Sequence, residues 1–514
     1  MSKPSRVDYG DWQTNYNLAL SICQQLKSQG VNPKVIVEPT CGVGNFILAA
    51  LEVFDNIDEV YGIEIHQPYL EELSKTLKKK YSGNIPSHIH LINQNIFEFS
   101  FLSLAKSCKE KEVLILGNPP WVTNSQLSRL SSTNVPVKGN FRNQKGIDAM
   151  TGKGNFDIGE TIFLQMLDLM PHIRGSIAIL LKNSVIKNIL HSQKSERLNI
   201  ANIQQHRIDA SREFGAAVAA SLFIAQASPE PAMQCKVYDF YTNNHTHTYG
   251  WIHDKFVANT DTYNSHKDID GICPLTWRSG VKHDCSKVME LGKNSDGYYN
   301  AYGQQVDIEE DLIFPLVKSS DINTSNSGIT RRYILITQHR TSEETATLAI
   351  THPKAYQYLE EHASELDNRG SRIYRGRPRF AIFGIGDYSF APYKVIVSGL
   401  YKHTYFSYFG GIEKPYMADD TCYILPFQDR ETAIITQSIL NHKSTQAFIR
   451  SILFEDAKRV ISKDLLERID LIAAARKIGH KELNISSNEL EKYIKTIISS
   501  ANKGATQLTL SLTA

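Results

Sequence analysis

Asn118-Pro119-Pro120-Trp121 is the stretch of this 514-residue chain best suited to chemistry on a flat heterocyclic amine. It follows an apolar run, Val113 to Gly117, that reads as a buried strand, and a polar stretch comes after it. The 6-amino group of adenine illustrates the problem such a turn can solve. Its lone pair is conjugated into the ring, so the nitrogen is a poor nucleophile. Two acceptors, one for each N–H, draw the nitrogen toward a pyramidal geometry and free the pair. The Asn118 side-chain oxygen can be one acceptor and the Pro119 carbonyl the other. Proline fixes φ at about −65° and has no N–H, so it aims that carbonyl with little freedom. Trp121 offers a face for an extruded base, and such stacking contributes roughly 1–3 kcal/mol. No general base of matched pKa is required, because the proton can leave after the new bond forms. The four residues are together the candidate catalytic set; a proline-rich turn at a strand end is the purely structural alternative.

Several upstream elements have to position this turn. An amphipathic helix ends near Leu26, and Lys34 to Glu38 reads as a short buried strand. Next come Pro39-Thr40-Cys41-Gly42-Val43-Gly44-Asn45 and a helix from Phe46 to about Phe54. Strand, glycine loop and helix together form the grammar of a nucleotide loop. A dinucleotide loop needs a third glycine where Ile47 stands, and the Gly-Lys-Ser/Thr of a phosphate loop is absent. What remains is an acid, Glu38, and two glycines that let a ligand approach the backbone. A cationic amino-acid nucleoside, S-adenosylmethionine, fits that better than a pyrophosphate, although a helix-start turn would use the same glycines. Val60 to Ile65 is the next strand; Glu64 lies about 20 residues past the glycines, the offset of a ribose-binding carboxylate. His90 to Asn93 is a third strand, with Asn95 placed to read an adenine edge and Ile96 to pack on its face. All four features fall at strand C-terminal ends, where ligands bind in doubly wound sheets.

In this order, Glu38-Pro39-Thr40-Cys41-Gly42-Val43-Gly44-Asn45-Phe46, Glu64 and Asn118-Pro119-Pro120-Trp121 resemble the gamma group of amino-methylating DNA methyltransferases. The resemblance implies S-adenosylmethionine as cofactor and 6-methyladenine as product, made in duplex DNA after base flipping, in a restriction-modification setting. It also implies an α/β fold: a Rossmann-like class I methyltransferase sheet with helices on both faces, plus a C-terminal mixed α+β target-recognition domain. Thr14 would lie near the cofactor carboxylate. Glu38, Gly42 and Gly44 would line the methionine end, Glu64 would hold the ribose, and Asn95 with Ile96 the adenine; Thr40, Ile65 and Asn118 would complete the cofactor-binding set. Asn95 stands where the family usually has Asp. Phe156 to Met170 (a helix) and Ile177 to Leu181 (a strand) look like the next two motifs. Phe214, by its position before an apolar run, would cover the target base opposite Trp121; a core Phe is the alternative. Thr123 to Asn155 is rich in Ser, Asn, Gly and Lys. Its length suits closing over a flipped nucleotide or tracking the DNA backbone, and equally a surface loop.

Composition shifts near Ser228-Pro229-Glu230-Pro231, which puts a boundary between about 228 and 270. We set a catalytic domain at 1–245 and a DNA target-recognition domain at 246–514, closed by helices near Ser462 to Leu471 and Ser487 to Ser499. Arg278 and Lys282 flank a glycine turn, and Arg372, Arg375, Arg377 and Arg379 belong to the densest basic stretch. Arg375, Arg377 and Arg379 alternate, so an extended segment would present them on one side. Basic groups among aromatics suit phosphate contacts. A net charge of +2 means that any basic surface is local. Seven cysteines without a C-x-x-C pair point to a reducing, cytoplasmic setting and away from zinc. His245 and His247 lack acidic or thiol partners nearby, so no metal site is expected. No apolar stretch is long enough to span a membrane. Double-stranded DNA is the expected partner of a monomer, with a cognate restriction endonuclease encoded separately. An RNA or glutamine-amide methyltransferase, a nuclease-methylase fusion and a non-catalytic DNA-binding subunit are the rival readings.

Overall fold

The computed structural model describes residues 13–108, 110–121, 158–215, 217–322, 331–401, 404–411, 413–455 and 459–512. The expected closing segment, Thr123 to Asn155, lies outside them. The chain divides into two compact units, Met1–Thr260 and Asp261–Ala514. The expected boundary at 245/246 therefore moves toward the C-terminus, because two further strands after it complete the first sheet.

That sheet has ten strands: β1 (Val35–Glu38), β2 (Glu59–Glu64), β3 (Ile89–Asn93), β4 (Glu112–Gly117), β5 (Arg174–Lys182), β6 (Ile200–Ile208), β7 (Ala220–Ala227), β8 (Gln234–Asp239), β9 (His245–Ile252) and β10 (Lys255–Val257). Their order is β10-β9-β8-β6-β7-β5-β4-β1-β2-β3. From β3 through β5 every pairing is parallel, whereas β7 runs antiparallel to both β5 and β6. Parallel strands buried on both faces need continuous apolar runs, and β1 and β4 supply them. This is the Rossmann-like class I methyltransferase sheet that the sequence leads one to expect.

Helices cover both faces. α1 (Tyr16–Ser28), α2 (Asn45–Val53) and α3 (Gln67–Lys80) share one core with Ile36, Leu114 and Leu222. On the other face α4 (Phe101–Ser107) is followed by α5 (Ile158–Leu167), whose Phe163 meets Phe223 edge to face at 5.0 Å. Neighbouring residues of β7 thus serve opposite cores, as the two-residue period of a strand requires. α6 (Asn183–Glu196) and a short α7 (Ala210–Phe214) complete the set used below. One close approach stands out: Ile47 Cδ1 of α2 lies 2.6 Å from where a Cβ on Gly62 of β2 would be, so the side chain of α2 fills the space the glycine leaves open.

The second unit is mixed α+β. One antiparallel sheet takes Arg278–Ser279, Cys422–Phe427, Tyr393–Ser398 and Phe406–Gly410 in that order. A six-stranded sheet is built around Glu290–Asn294, Arg332–Leu335 and Ile313–Val317. Helices Arg430–Asn441, Lys443–Ile452, Leu471–Glu482 and Ser487–Leu512 follow. Of the two closing helices expected, the first is only Lys463–Glu467 before a new start at Leu471, and the second runs on to Leu512. Asp470 explains the new start, since its carboxylate caps the backbone N–H groups of Ile472 and Ala473.

Candidate active site

The register of the parallel strands brings the expected site residues to one edge. Glu38 pairs with Gly62, Glu64 with Asn93, and Val37 with Ile115, so Asn118 comes two residues beyond Leu116, which stands beside Glu38. The glycine loop crosses this edge. Gly42 (φ 51°) and Gly44 (φ 78°) are left-handed, where a side chain is strained. Space is also closed: a Cβ on Gly44 would sit 2.3 Å from Leu73 Cδ1. Cys41 N–H donates to the Ile63 carbonyl at 2.9 Å, tying the loop to β2.

Two carboxylates anchor the loop. Glu64 Oε2 accepts from Gly42 N–H at 2.9 Å and its Oε1 from His66 N–H at 2.8 Å. Glu38 Oε2 accepts from Ile47 N–H at 3.2 Å, in the first turn of α2. Burial pushes the Glu38 carboxyl well above the usual carboxylate range; the Ile47 N–H pulls it down and the Glu64 charge adds to the rise. Glu64 is raised too, by burial, with the His66 and Gly42 N–H groups opposing. A ligand cation would relieve both acids. Thr14 and Thr40 each hold a buried hydroxyl oxygen without a hydrogen-bond partner among the described residues. A ligand that brings a positive charge and hydrogen-bonding groups to a cradle closed to Cβ atoms therefore fits this edge.

Asn95 caps the 3-10 turn Ile96–Glu98, its Oδ1 accepting from Phe97 N–H at 3.1 Å. Ile96 is buried and Ile65 is 43% exposed. Among the expected cofactor residues, Ile65 is the most open. Asn93 was passed over in the sequence reading, yet its amide spans the Glu64 and Ile65 carbonyls at 3.0 Å each. Its only sequence signal was its place at a strand end.

The Asn118–Trp121 turn stands against this edge. A Cβ built at Gly117 would lie 3.5 Å from Glu38 Cγ, so the buried acid packs on the residue just before Asn118. Pro119 and Trp121 are buried, Asn118 and Pro120 half-buried. The Trp121 indole N–H donates to the Leu180 carbonyl at 3.3 Å, and Lys182 Nζ donates to the Trp121 carbonyl at 3.2 Å. Lys182, at the end of β5, was missed because nothing in its local sequence says that β5 adjoins β4.

The expectation that Trp121 and Phe214 face each other across a base needs correction. Their rings meet edge to face, with centroids 5.1 Å apart and planes at 72°. A base between them needs two roughly parallel faces about two stacking distances apart. The reason is packing: Trp121 belongs to the core under α1 and α2, and Phe214 rests on the same cluster.

In the second unit the basic stretch is also rearranged. Arg372–Tyr374 forms a 3-10 turn and Gly376 is left-handed (φ 69°), so the alternating arginines do not share the side of an extended strand. Arg379 is taken up by Glu360 at 2.8 Å and Asp367 at 2.9 Å. Lys282 pairs with Asp284 at 2.6 Å and Asp420 at 3.5 Å. Arg372, Arg375 and Arg377 are exposed and make no ion pair among the described residues. Arg278 is exposed, its guanidinium 5.3 Å over the Tyr388 ring. Arg369, in the same stretch, is structural: it donates to the carbonyls of Leu366, His283 and Ala381.

No family model matches this sequence. It is 39% identical over 477 residues to the type II methyltransferase M.NspV of Nostoc sp., an alignment that spans 92% of this chain and 98% of that one. The solved structure of the type IIL restriction-modification enzyme MmeI in complex with DNA superposes with a TM-score of 0.50 at 13% identity. That superposition covers 97% of this chain and 73% of the other, and at such identity the likeness is one of fold.

Proposed function

This chain belongs to the type II methyltransferases of restriction-modification, and from that premise we propose that it methylates the 6-amino group of adenine in duplex DNA. The observation that carries the reading is the packing of Glu38 on Gly117, immediately before Asn118. It sets a cation-seeking acid and a pair of amine acceptors side by side. S-adenosylmethionine, when bound, would supply an electrophilic methyl group on a sulfonium centre. Glu38 would favour that positive charge, which would oppose the effect of burial on its carboxyl. Glu64 with Ile65 would hold the ribose, Asn95 and Ile96 the adenine of the cofactor, and Thr14 and Thr40 would offer their hydroxyls at the methionine end beside Gly42 and Gly44.

The chain's own part in the transfer is to prepare the nitrogen. Asn118 Oδ1 and the Pro119 carbonyl each accept one N–H of a flipped adenine, which frees its lone pair; the surplus proton departs to solvent after transfer. Pro120 stiffens the turn, and Lys182 and Leu180 hold Trp121 behind it. The second unit would recognise the target, with Arg278, Arg372, Arg375 and Arg377 on phosphates. We further propose a cytoplasmic monomer that works alongside a separately encoded restriction endonuclease.

The test is methyl transfer from labelled S-adenosylmethionine to duplex DNA, followed by nucleoside analysis. Label in 6-methyladenine that disappears with Asn118→Ala supports the reading. Label in cytosine, or undiminished transfer by the variant, removes it.

A further inference from the structure

Residues 13–15 are held from two directions. On the glycine-loop side, Asn45 Nδ2 donates to the Thr14 carbonyl at 2.8 Å and Val43 N–H to Gln13 Oε1 at 3.4 Å. The Gln13 side chain fills the space a Cβ on Gly42 would need. On the far side stands Glu213. Asn15 caps α1 with its oxygen, accepting from Leu18 N–H at 2.8 Å, and spends its amide hydrogens on Glu213 Oε2 at 3.3 Å. The other Glu213 oxygen accepts from the Tyr241 hydroxyl at 3.0 Å, and that hydroxyl oxygen accepts from Asp209 N–H at 3.2 Å. The exposed Arg212 lies 3.6 Å from the same carboxylate and over the Tyr241 ring.

The Glu213 side chain is only 11% exposed, with both oxygens engaged. It immediately precedes Phe214, which closes α7 at the left-handed Gly215 and meets Trp121 edge to face. One carboxylate thus fixes a helix cap beside Thr14 and, through its own backbone, the ring that touches the catalytic turn. A rotation of the Glu213 side chain that follows Asn15 also breaks the Tyr241 bond.

We propose that Glu213 is a positioning residue, coupling the order of residues 13–15 around the cofactor to the placement of Phe214 against Trp121 of the Asn118–Trp121 turn. It rests on the reaction proposed above. Loss of the carboxylate loosens both ends at once: the cap beside Thr14 and the ring beside Trp121.

The test uses the full chain with Glu213→Ala, with Asn15→Ser, which keeps an N-cap oxygen for Leu18 N–H but drops the amide that reaches Glu213, and with the double variant. Calorimetric binding of S-adenosylhomocysteine is measured beside KM and kcat for methylation of duplex DNA. Each single variant is expected to weaken S-adenosylhomocysteine about five- to tenfold, and the double variant no further, because both act through one contact. Glu213→Ala alone also lowers kcat at saturating cofactor, and Glu213→Gln, which still accepts from Asn15 and can donate to Tyr241, restores most of both. Binding and kcat unchanged in Glu213→Ala, or losses that add in the double variant, overturn the proposal. If Glu213→Ala does not fold, the pair Asn15→Ser and Tyr241→Phe carries the same cycle through the same carboxylate. If the wild-type protein methylates no adenine, the reaction reading fails while the calorimetric cycle still judges Glu213.

Discussion

Replacing Glu64 with glutamine removes one charge-assisted hydrogen bond and little else. Both carboxylate oxygens accept a backbone N–H, from Gly42 at 2.9 Å and His66 at 2.8 Å. An amide has one oxygen, so its nitrogen is left facing an N–H from which it cannot accept. Hydrogen bonds to charged groups contribute roughly 1.5–3 kcal/mol each. If the glycine loop holds its shape, that loss falls on folding and lowers the Tm of the first unit by about 3–12 °C. If the loop relaxes instead, Gly42 leaves the ligand edge and the same loss falls on affinity, about 10- to 100-fold. Scanning calorimetry and titration with S-adenosylhomocysteine at pH 8 separate the two. That pH is chosen because burial raises the Glu64 carboxyl, and the comparison needs the ionised wild type. Binding within about twofold of wild type, with Tm unmoved, would refute the assignment of Glu64 as anchor of the loop and holder of the ribose.

Three further outcomes are expected. Arg375→Ala and Arg377→Ala should each flatten the salt dependence of duplex binding by about one unit of slope. Arg379→Ala should leave that slope alone and cost at most about 1 kcal/mol of stability, because its charge is already met by Glu360 and Asp367 on a half-exposed surface. Lys394, buried in the middle of the second unit's antiparallel sheet, has its ammonium pulled down to about 7 by burial, with the Ala391 carbonyl at 2.7 Å as acceptor. In the unfolded chain the group stays charged up to about pH 10.4. Folding therefore releases a proton between those values, and stability rises with pH across that window and is lost as pH falls through it. Lys394→Met should raise the Tm at pH 7 and abolish this rise, as read by thermal denaturation between pH 7 and 10.

Much of the first unit was legible because its signals are local. The buried runs of β1 and β4, the left-handed glycines and the acid at the end of β2 each announce themselves within a few residues. Their convergence follows from parallel pairing, which places all C-terminal ends on one edge. What sequence could not supply were contacts that depend on which strands adjoin. Lys182 reaches Trp121 only because β5 lies beside β4, and Phe214 meets Trp121 edge-on because both belong to one core. In the second unit the reading of Arg375, Arg377 and Arg379 assumed an extended chain. Two left-handed residues, Gly376 and Phe380, bend the segment, and acids distant in sequence claim Arg379. The strands after residue 245 were assigned to the wrong side of the boundary because alternating polar and aromatic residues look alike at any sheet edge.

Gly62 has a wider meaning. In dinucleotide-binding loops the third glycine lies on the helix and lets it settle on the sheet. Here that position carries Ile47, and the missing volume has been taken from the strand beneath it. In this chain the close approach is thus met by two side-chain volumes taken together rather than by a letter at one place. Among relatives, a smaller residue at 47 would license a larger one at 62. A pattern search that looks only along the loop would then miss a cofactor cradle of this build, while one that compares the two positions together would find it.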